Sequence, residues 1–394
     1  MSYKIHFSNR GHAYTEDEIR IATDAMRSAD PLTQGRFRNS FEEKFTSFLG
    51  NDRKCFALCN ATAGLEIAAM LCRFQPGDEF IIPSHTFTAS CYPFIKKGGT
   101  PVWADIDPET RVANAQTFAR LISSRTRAIV VVHLYGFVAD MPEIMELAEK
   151  HNLLVVEDSA QAIGAELSGR KAGTFGDFGI FSFHSHKNIT TLGEGGMLAV
   201  KDPSLASLVP MLRHNGHCDF NFARQDYWLP AMGNVDLPEL DGIPLMPNNF
   251  CLGEVECALG TALLDRINAI NRDRRRRALA FIDGLQDYPE IVFHRVDSDR
   301  HIYHLLVGKA IGNIRDEFIR RMALNKGIQC VVQYYPLNRY DLYRKLGFGY
   351  ADCPQGDDLF DNMISFPFHQ WMTEEQFAYM LQSAREVLNE IRQR

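Results

Sequence analysis

Residues 181–196 read FSFHSHKNITTLGEGG, and Lys187 lies in the middle of this run. The lysine is in a polar loop between an aromatic strand and a glycine-rich turn. Packing explains such a position poorly, whereas a Schiff base between the amine and an aldehyde cofactor explains it well. Upstream, the apolar run 155–158 (VVED) ends in the carboxylate of Asp158.

Lys187 and Asp158 together indicate the chemistry of the chain. Pyridoxal phosphate chemistry requires a lysine for the cofactor aldehyde and an acidic partner for its pyridinium nitrogen. The pair therefore predicts a transaminase. In that role Lys187, once released, carries a proton between two carbons, which needs a partly deprotonated amine near neutral pH.

The bulk composition excludes several classes of protein. The 394 residues are 45% hydrophobic and 23% charged, which is ordinary for a globular chain of about two domains. The net charge of −7 argues against nucleic-acid and anionic-membrane partners. We expect no membrane span and no signal peptide, and nine scattered cysteines fit a reducing cytoplasm without a metal site.

Short apolar runs alternate with helical patterns between residues 53 and 200. This alternation predicts an α/β fold whose mostly parallel sheet has helices on both faces. Predicted helices include 63–72, 115–123 and 141–151. The seven predicted strands are 54–58, 79–83, 100–104, 128–133, 153–157, 177–183 and 197–201.

The second half of the chain is less regular. Residues 217–247, which contain Tyr227 and Trp228, are interrupted by Pro, Gly, Asn and Asp and predict a lid or an interface loop. A helix over 252–271 precedes the arginine cluster 272–277, for which we favour a solvated helix face over a nucleic-acid patch. The rest predicts an α+β domain, with helices at 277–286, 315–326 and 373–394 and strands near 302–308 and 329–334.

Several polar motifs follow predicted strands and should meet in one crevice. Residues 59–66 (CNATAGLE) open a helix, so they predict a phosphate cradle that uses Thr62; a plain N-cap is the alternative. Phe87 could stack on a pyridine ring or belong to the core, and Asp158 could hold the ring nitrogen or cap a turn. The remaining candidates are Gln161 for the ring hydroxyl, Ser182 for the phosphate, and His184, His186 and Tyr335 for substrate; we favour local hydrogen bonding for the two histidines.

These motifs, in this order, resemble the sugar aminotransferases of the DegT/DnrJ/EryC1/StrS family, which have the fold-type I architecture of pyridoxal phosphate enzymes. The similarity covers most of the chain, and residues 60–64 and 182–190 look especially like the branch that aminates 4-keto-arabinose nucleotides. The stretches that carry it are 32–35 (LTQG), 41–45 (FEEKF), 132–136 (VHLYG), 157–161 (EDSAQ), 173–177 (GTFGD), the lysine run, 259–264 (LGTALL), and 365–369 (SFPFH) with 372–375 (MTEE).

The resemblance implies a seven-stranded large domain at 35–271, an N-terminal segment at 1–34 and a small domain at 272–394. It implies phosphate contacts from Thr62, Ala63 and Ser182, and a homodimer in which Asn249 reaches the phosphate of the partner subunit. It also implies ring contacts from Phe87, Asp158 and Gln161, and covalent attachment at Lys187. Around Asn249 the chain reads PNNFCL and lacks the arginine usual in the family.

The resemblance further implies glutamate as the amino donor and a keto- or aldehydo-sugar as the acceptor. The acceptor is nucleotide-linked or a related sugar such as an oxidised 3-deoxy-octulosonate, used for surface polysaccharide or lipopolysaccharide. A sugar dehydratase of the same family is the alternative, but the lysine in register favours transamination. A cofactor-binding regulator is a further alternative, for which we find no DNA-binding element. The sequence leaves the sugar, the aminated carbon and the stereochemistry open.

Overall fold

A computed structural model describes residues 3–7, 13–219, 232–370 and 372–393 of the chain. Its main sheet has seven strands. They are β1 (Lys54–Leu58), β2 (Glu79–Pro83), β3 (Thr100–Ala104), β4 (Thr126–Val132), β5 (Leu154–Asp158), β6 (Phe178–Ser182) and β7 (Gly196–Val200).

The spatial order of the strands is β1-β7-β6-β5-β4-β2-β3. The pairs from β3 to β6 are parallel, and β7 runs antiparallel to both of its neighbours. The prediction of a mostly parallel seven-stranded sheet is therefore confirmed, and every predicted strand of this sheet lies within two residues of an observed one. The parallel strands bring their carboxyl ends to one edge, where Asp158 and Ser182 are the last residues of β5 and β6.

The described residues contain thirteen α-helices. They are α1 (Glu16–Ser28), α2 (Arg36–Leu49), α3 (Ala61–Leu71), α4 (Tyr92–Lys96), α5 (Ala115–Ala119), α6 (Met141–His151), α7 (Pro203–Ala206), α8 (Val209–Arg213), α9 (Glu254–Gly284), α10 (Arg315–Lys326), α11 (Asp341–Lys345), α12 (Pro354–Asn362) and α13 (Glu374–Arg392). Single 3₁₀ turns lie at Thr88–Ser90, Leu134–Gly136 and Leu337–Arg339.

Alternating side chains of the central strands bury both faces of the main sheet. In β6, Phe178 and Ile180 join one hydrophobic core, while Phe181 points into the other with Phe41 and Phe45 of α2. A third core joins α10, α13 and the end of α9 to the small sheet. The sheet is thus covered on both sides, as expected for parallel strands.

The small sheet differs from the expectation. It contains β8 (Ile291–Phe293), β9 (Leu306–Ala310) and β10 (Met363–Phe366), all antiparallel. The predicted strand at 329–334 is wrong, because this stretch forms only one isolated bridge, between Val331 and Ser365. Its last residues, Gln333 and Tyr334, line a cavity instead of continuing along the sheet.

The two predicted helices at 252–271 and 277–286 are one continuous helix, α9. Its first half joins the core beside α2, and its second half joins the core of the small sheet. The predicted domain border after residue 271 falls inside this helix and stays a prediction.

The arginine cluster is not a uniformly solvated helix face, which corrects the prediction. Arg274 is buried and donates to the carbonyl oxygens of Tyr303 and His304 at 3.0 and 2.6 Å. Arg275, Arg276 and Arg277 pair with acidic side chains. This part of α9 packs against the small sheet. One arginine of the cluster therefore points inward instead of toward solvent.

Residues 217–247 contain two short antiparallel ribbons in their described part, His217–Cys218 with Asn234–Val235 and Glu239–Leu240 with Ile243–Pro244. Tyr227 and Trp228 lie outside the described residues, and the hypothesis of a lid or an interface loop stays a prediction. Among the helices that the structure describes, none has the length and apolar character needed to cross a bilayer.

Candidate active site

A cavity of about 550 Å³ opens at the carboxyl-terminal edge of the main sheet. The large sheet contributes Asp158 and Ser182 from its strand ends, and the turn after β2 contributes Phe87 and Ser90. The beginning of α3 and the loop that carries Lys187 form further walls. The small sheet's side supplies His304, Leu305, Gln333, Tyr334, Phe368 and His369. The cavity therefore lies between the two halves of the chain.

Lys187 lies in a loop whose two ends are tied together. The amide of Phe183 donates to the carbonyl of Gly195 at 2.8 Å, and the amide of Lys187 donates to the carbonyl of His184 at 2.8 Å. Gly195 has a φ of +159°, and a Cβ there would lie 2.0 Å from the Thr191 hydroxyl oxygen, so only glycine fits. This turn therefore fixes the backbone position from which the Lys187 side chain extends.

The environment of Lys187 shifts its amine toward the neutral form. Burial of the amine lowers its pKa to about 8, and the opposing charge of Asp158 only partly offsets that desolvation. The residue as a whole is half-buried, so the amine remains reachable from the cavity. A measurable fraction of the amine is thus deprotonated near neutral pH.

Asp158 is held by hydrogen bonds on both carboxylate oxygens. Ser90 Oγ donates to Oδ2 at 2.6 Å, and the amide of Ala160 donates to Oδ1 at 3.1 Å. The residue is 7% exposed and lines the cavity. The bond from the amide of Ala160 is the turn cap that the sequence offered as an alternative. The carboxylate also faces the cavity.

Glu157 supports the same strand from the opposite face. Its carboxylate accepts hydrogen bonds from His133 at 2.9 Å, Gly173 at 2.8 Å and Gly176 at 2.6 Å. Burial alone would raise its pKa, but the bond from His133 and the two backbone amides outweigh burial and lower it. Glu157 therefore fixes the end of β5 without reaching the cavity.

The beginning of α3 forms one end of the cavity, with Asn60, Ala61 and Thr62 in its wall. Asn60 caps the helix, because its Oδ1 accepts from the amide of Ala63 at 2.8 Å. Ala63 is buried and does not line the cavity, and its amide is already engaged. The N-cap alternative is thus observed at Asn60, and the phosphate cradle that uses Thr62 stays a prediction.

Phe87 and Gln161 lie on two sides of Tyr334. Phe87 is 52% exposed rather than core, and its ring meets that of Tyr334 edge-on at 5.7 Å. Gln161 donates from Nε2 to the Tyr334 hydroxyl at 3.0 Å, while its Oε1 accepts from the amide of Tyr135 at 2.8 Å. Tyr334 therefore has the Phe87 ring on one side and the Gln161 amide on the other, and all three residues line the cavity.

His184 and His186 line the cavity together with Glu194. Their rings meet edge-on at 5.0 Å, and His184 Nε2 lies 3.6 Å from the Glu194 carboxylate. Burial, together with the charges of His184 and Lys187, lowers the pKa of His186. His184 makes the local hydrogen bonds that the sequence favoured, since its Nδ1 faces Ser185 Oγ and the amide of His186, both at 3.4 Å. The His186 ring contacts that of His184, and both residues line the cavity.

The structure brings Thr62, Phe87, Asp158, Gln161, Ser182, His184, His186 and Lys187 to this cavity. Asn249 is exposed and does not line it. Tyr335 also lies outside the lining, where its ring contacts Tyr340 and Phe360. Sequence reasoning missed Ser90, His304 and Tyr334, although Ser90 lies only three residues after Phe87, which the sequence did place in this crevice.

The residues present fit pyridoxal phosphate. The amine of Lys187 has a depressed pKa, the oriented carboxylate of Asp158 faces the same space, and the amides and hydroxyls of the α3 start and Ser182 suit an anion. Within the described residues, no cluster of side chains could hold a metal ion.

Comparison with known proteins adds four findings. A sequence model of the DegT/DnrJ/EryC1/StrS aminotransferase family matches residues 13–385. GDP-perosamine synthase of Caulobacter vibrioides is 33% identical over 364 residues, which cover 90% of this chain and 91% of that protein.

The second relative is L-glutamine:2-deoxy-scyllo-inosose aminotransferase of Streptomyces kanamyceticus. It is 35% identical over 269 residues, 67% of this chain and 61% of that protein. Among solved structures, Spr1654 of Streptococcus pneumoniae in its PLP form superposes with a TM-score of 0.83 at 27% identity, covering 98% of this chain and 99% of that one.

Proposed function

The chain belongs to the DegT/DnrJ/EryC1/StrS aminotransferase family, and from this premise we propose that it moves an amino group from glutamate to a keto- or aldehydo-sugar. It is an aminotransferase, and its cofactor is pyridoxal 5′-phosphate. The observation that carries the proposal is the pairing of the Lys187 amine with the Asp158 carboxylate in one cavity.

We propose that Lys187 binds the cofactor covalently and that the α3 start, with Thr62 and Ser182, holds its phosphate. Phe87 would lie against the ring, Asp158 at the ring nitrogen and Gln161 at the ring hydroxyl. When bound, the cofactor supplies an electron-withdrawing ring that stabilises negative charge at the carbon next to the transferred nitrogen. The bonds from Ser90 and Ala160 support the role of Asp158, because they orient its carboxylate in advance.

The chain's own residues would move the protons. The Asp158 carboxylate keeps a proton on the ring nitrogen through charge attraction. The Lys187 amine, whose pKa of about 8 leaves part of it neutral, accepts a proton from the donor's carbon and returns one to the acceptor's. His184 and His186 at the cavity wall are the proposed substrate contacts.

Sugar chemistry is proposed from the relatives. GDP-perosamine synthase carries a nucleotide sugar in its name, and the Streptomyces relative is named for a cyclitol and for glutamine as donor. We propose that the acceptor sugar is used for surface polysaccharide or lipopolysaccharide. We also propose that the enzyme works in the cytoplasm, because nine unpaired cysteines suit a reducing compartment. A homodimer with Asn249 directed to the partner subunit would explain why that side chain is exposed.

Spectroscopy and half-reactions test the proposal. Purified protein supplied with cofactor should show a visible absorbance band that Lys187→Ala abolishes and that the exposed control Lys201→Ala retains. Glutamate should discharge the band, and a panel of keto-sugars, with and without a nucleotide, should restore it. If Lys201→Ala and Lys187→Ala behave alike, the proposed site is wrong. Discharge by glutamine but not glutamate would replace the proposed donor.

A further inference from the structure

A chain of amide hydrogen bonds leads from the backbone to a histidine in the cavity wall. Asn271 of α9 donates from Nδ2 to the carbonyl of Ile163 at 2.9 Å. Its Oδ1 accepts from Asn188 Nδ2 at 2.8 Å, and Asn188 Oδ1 faces His304 Nδ1 at 3.2 Å. All three side chains are buried.

This chain of hydrogen bonds determines which ring nitrogen of His304 carries the proton. The carbonyl of Ile163 can only accept, so the orientation of the Asn271 amide is determined, and that of Asn188 follows from it. An oxygen therefore faces His304 Nδ1. Because an amide oxygen cannot donate, Nδ1 must supply the proton, and Nε2 is left with its lone pair.

The backbone of His304 is also held by a hydrogen bond. Arg274, one helical turn after Asn271 on α9, donates to the His304 carbonyl at 2.6 Å. Two side chains of α9 thus act on the same residue, Arg274 directly on its carbonyl and Asn271 through Asn188 on its ring. This is more constraint than packing requires of a histidine that is 3% exposed.

His304 is neutral at physiological pH. Burial, followed by the charges of Lys187, Arg274 and His186, holds its pKa well below the usual value. His369 also lines the cavity on this side, and the two carboxylates of the lining are Asp158 and Glu194. Among the described residues none hydrogen-bonds Nε2, and that nitrogen is not among the polar atoms sealed from solvent.

We propose that His304, locked by Asn188 and Asn271 with its proton on Nδ1, presents the Nε2 lone pair to an N–H or O–H group of a substrate. The inference rests on the proposed function for the identity of that substrate, which is the amino donor or the sugar. His304 touches the substrate, and Asn188 and Asn271 are positioning residues. A protonated histidine at this place would offer a donor instead and would add a second positive charge beside Lys187.

Nitrogen-15 NMR of histidine-labelled protein tests the lock without any turnover. The resonances that disappear in His304→Gln identify the residue. We expect a neutral ring protonated on Nδ1 from about pH 6 to pH 8. Asn271→Leu should convert it to a mixture of tautomers, whereas Asn268→Leu, the same change on the exposed side of α9, should not. A proton on Nε2, or titration near the usual histidine pKa, would overturn the proposal.

Kinetics of a matched pair test the acceptor. Glutamine places its amide oxygen near the position of Nε2, whereas asparagine places it near Nδ1. We expect His304→Asn to lower kcat/KM by about tenfold, and His304→Gln to recover most of that loss.

Half-reactions identify the group that is bound. A rise in KM for the amino donor assigns the N–H group, and a rise for the sugar assigns the O–H group. If neither half-reaction changes in His304→Asn, His304 does not touch the substrate. Because the NMR result needs no substrate, it separates failure of this inference from failure of the proposed transamination.

Discussion

The hydroxyl of Ser90 donates a 2.6 Å hydrogen bond to Oδ2 of Asp158, joining the turn after β2 to the end of β5. The strand between them, β4, does not take part in this bond. A carboxylate with one oxygen held by Ser90 and the other by the amide of Ala160 cannot rotate freely. The direction of its charge is therefore determined before any ligand arrives.

Ser90→Ala should weaken cofactor binding. The substitution removes one charge-assisted hydrogen bond, so we expect a loss of about tenfold in affinity, measured by fluorescence or absorbance titration. Thr86→Val is the control, because it removes the hydroxyl 3.2 Å from Ser90 without touching Asp158. Equal effects from the two variants would show that Ser90 acts through packing of the turn.

The pH dependence of covalent cofactor capture should report the pKa of Lys187. Only the neutral amine reacts, so the rate should rise with pH, with a midpoint at about 8 rather than at the usual lysine value. The charge of Asp158 raises this pKa, so Asp158→Asn should move the midpoint lower. Stopped-flow absorbance after mixing with cofactor measures both. A higher midpoint in Asp158→Asn would contradict the assigned sign.

Glu157→Gln should destabilise the fold without entering the site. It turns an acceptor of three buried hydrogen bonds into a group with one donor end, at a cost of about 3 kcal/mol in the free energy of unfolding. Glu166→Gln, which weakens a partly exposed pair with Lys171, should cost under about 1 kcal/mol. Urea denaturation at neutral pH compares them.

The difference in unfolding free energy between wild type and Glu157→Gln should also depend on pH. The pKa of Glu157 is lowered by folding, so its contribution is complete above the unfolded-state pKa of a glutamate. The contribution is lost as the pH falls through the folded-state pKa. The difference between wild type and Glu157→Gln should therefore shrink in acid, and a difference that grows in acid would show that the carboxylate is not the stabilising form.

Phe87→Ala should weaken cofactor binding with little effect on stability. The side chain is half-exposed, so the fold loses little, while loss of ring contact corresponds to about 0.5–1.5 kcal/mol, or roughly three- to tenfold in affinity. Phe87→Tyr keeps an aromatic face and should bind nearly as wild type. Thermal unfolding of the cofactor-free proteins serves as the check on stability.

The sequence predicted the large sheet well because its signal is local. Residues 129–132, for example, are apolar without interruption, and polar residues show where each strand ends. The strand at 329–334 failed because β propensity does not report how many residues stay paired with a neighbour. Val331 bridges Ser365 of β10, but Gln333 and Tyr334 line the cavity instead of continuing along the sheet.

The missed site residues depend on contacts between distant parts of the chain. His304 and Asn188 are separated by 116 residues and Ser90 and Asp158 by 68. Composition and periodicity carry no information on such pairs. Lys187 and Asp158 could be recognised because cofactor chemistry demands particular residue types, whereas a hydroxyl or imidazole in support of them is chemically unremarkable until its neighbour is known.

The continuity of α9 has a consequence for making hybrid enzymes. Relatives of this chain could be recombined to pair one cofactor platform with another sugar-facing half, and the arginine cluster would look like a natural junction. A crossover there would separate Asn271 from Arg274, although both act on His304, Arg274 directly on its carbonyl and Asn271 through Asn188 on its ring. Exchanges should instead keep residues 254–284 from a single parent, with the segment around His304 from that same parent.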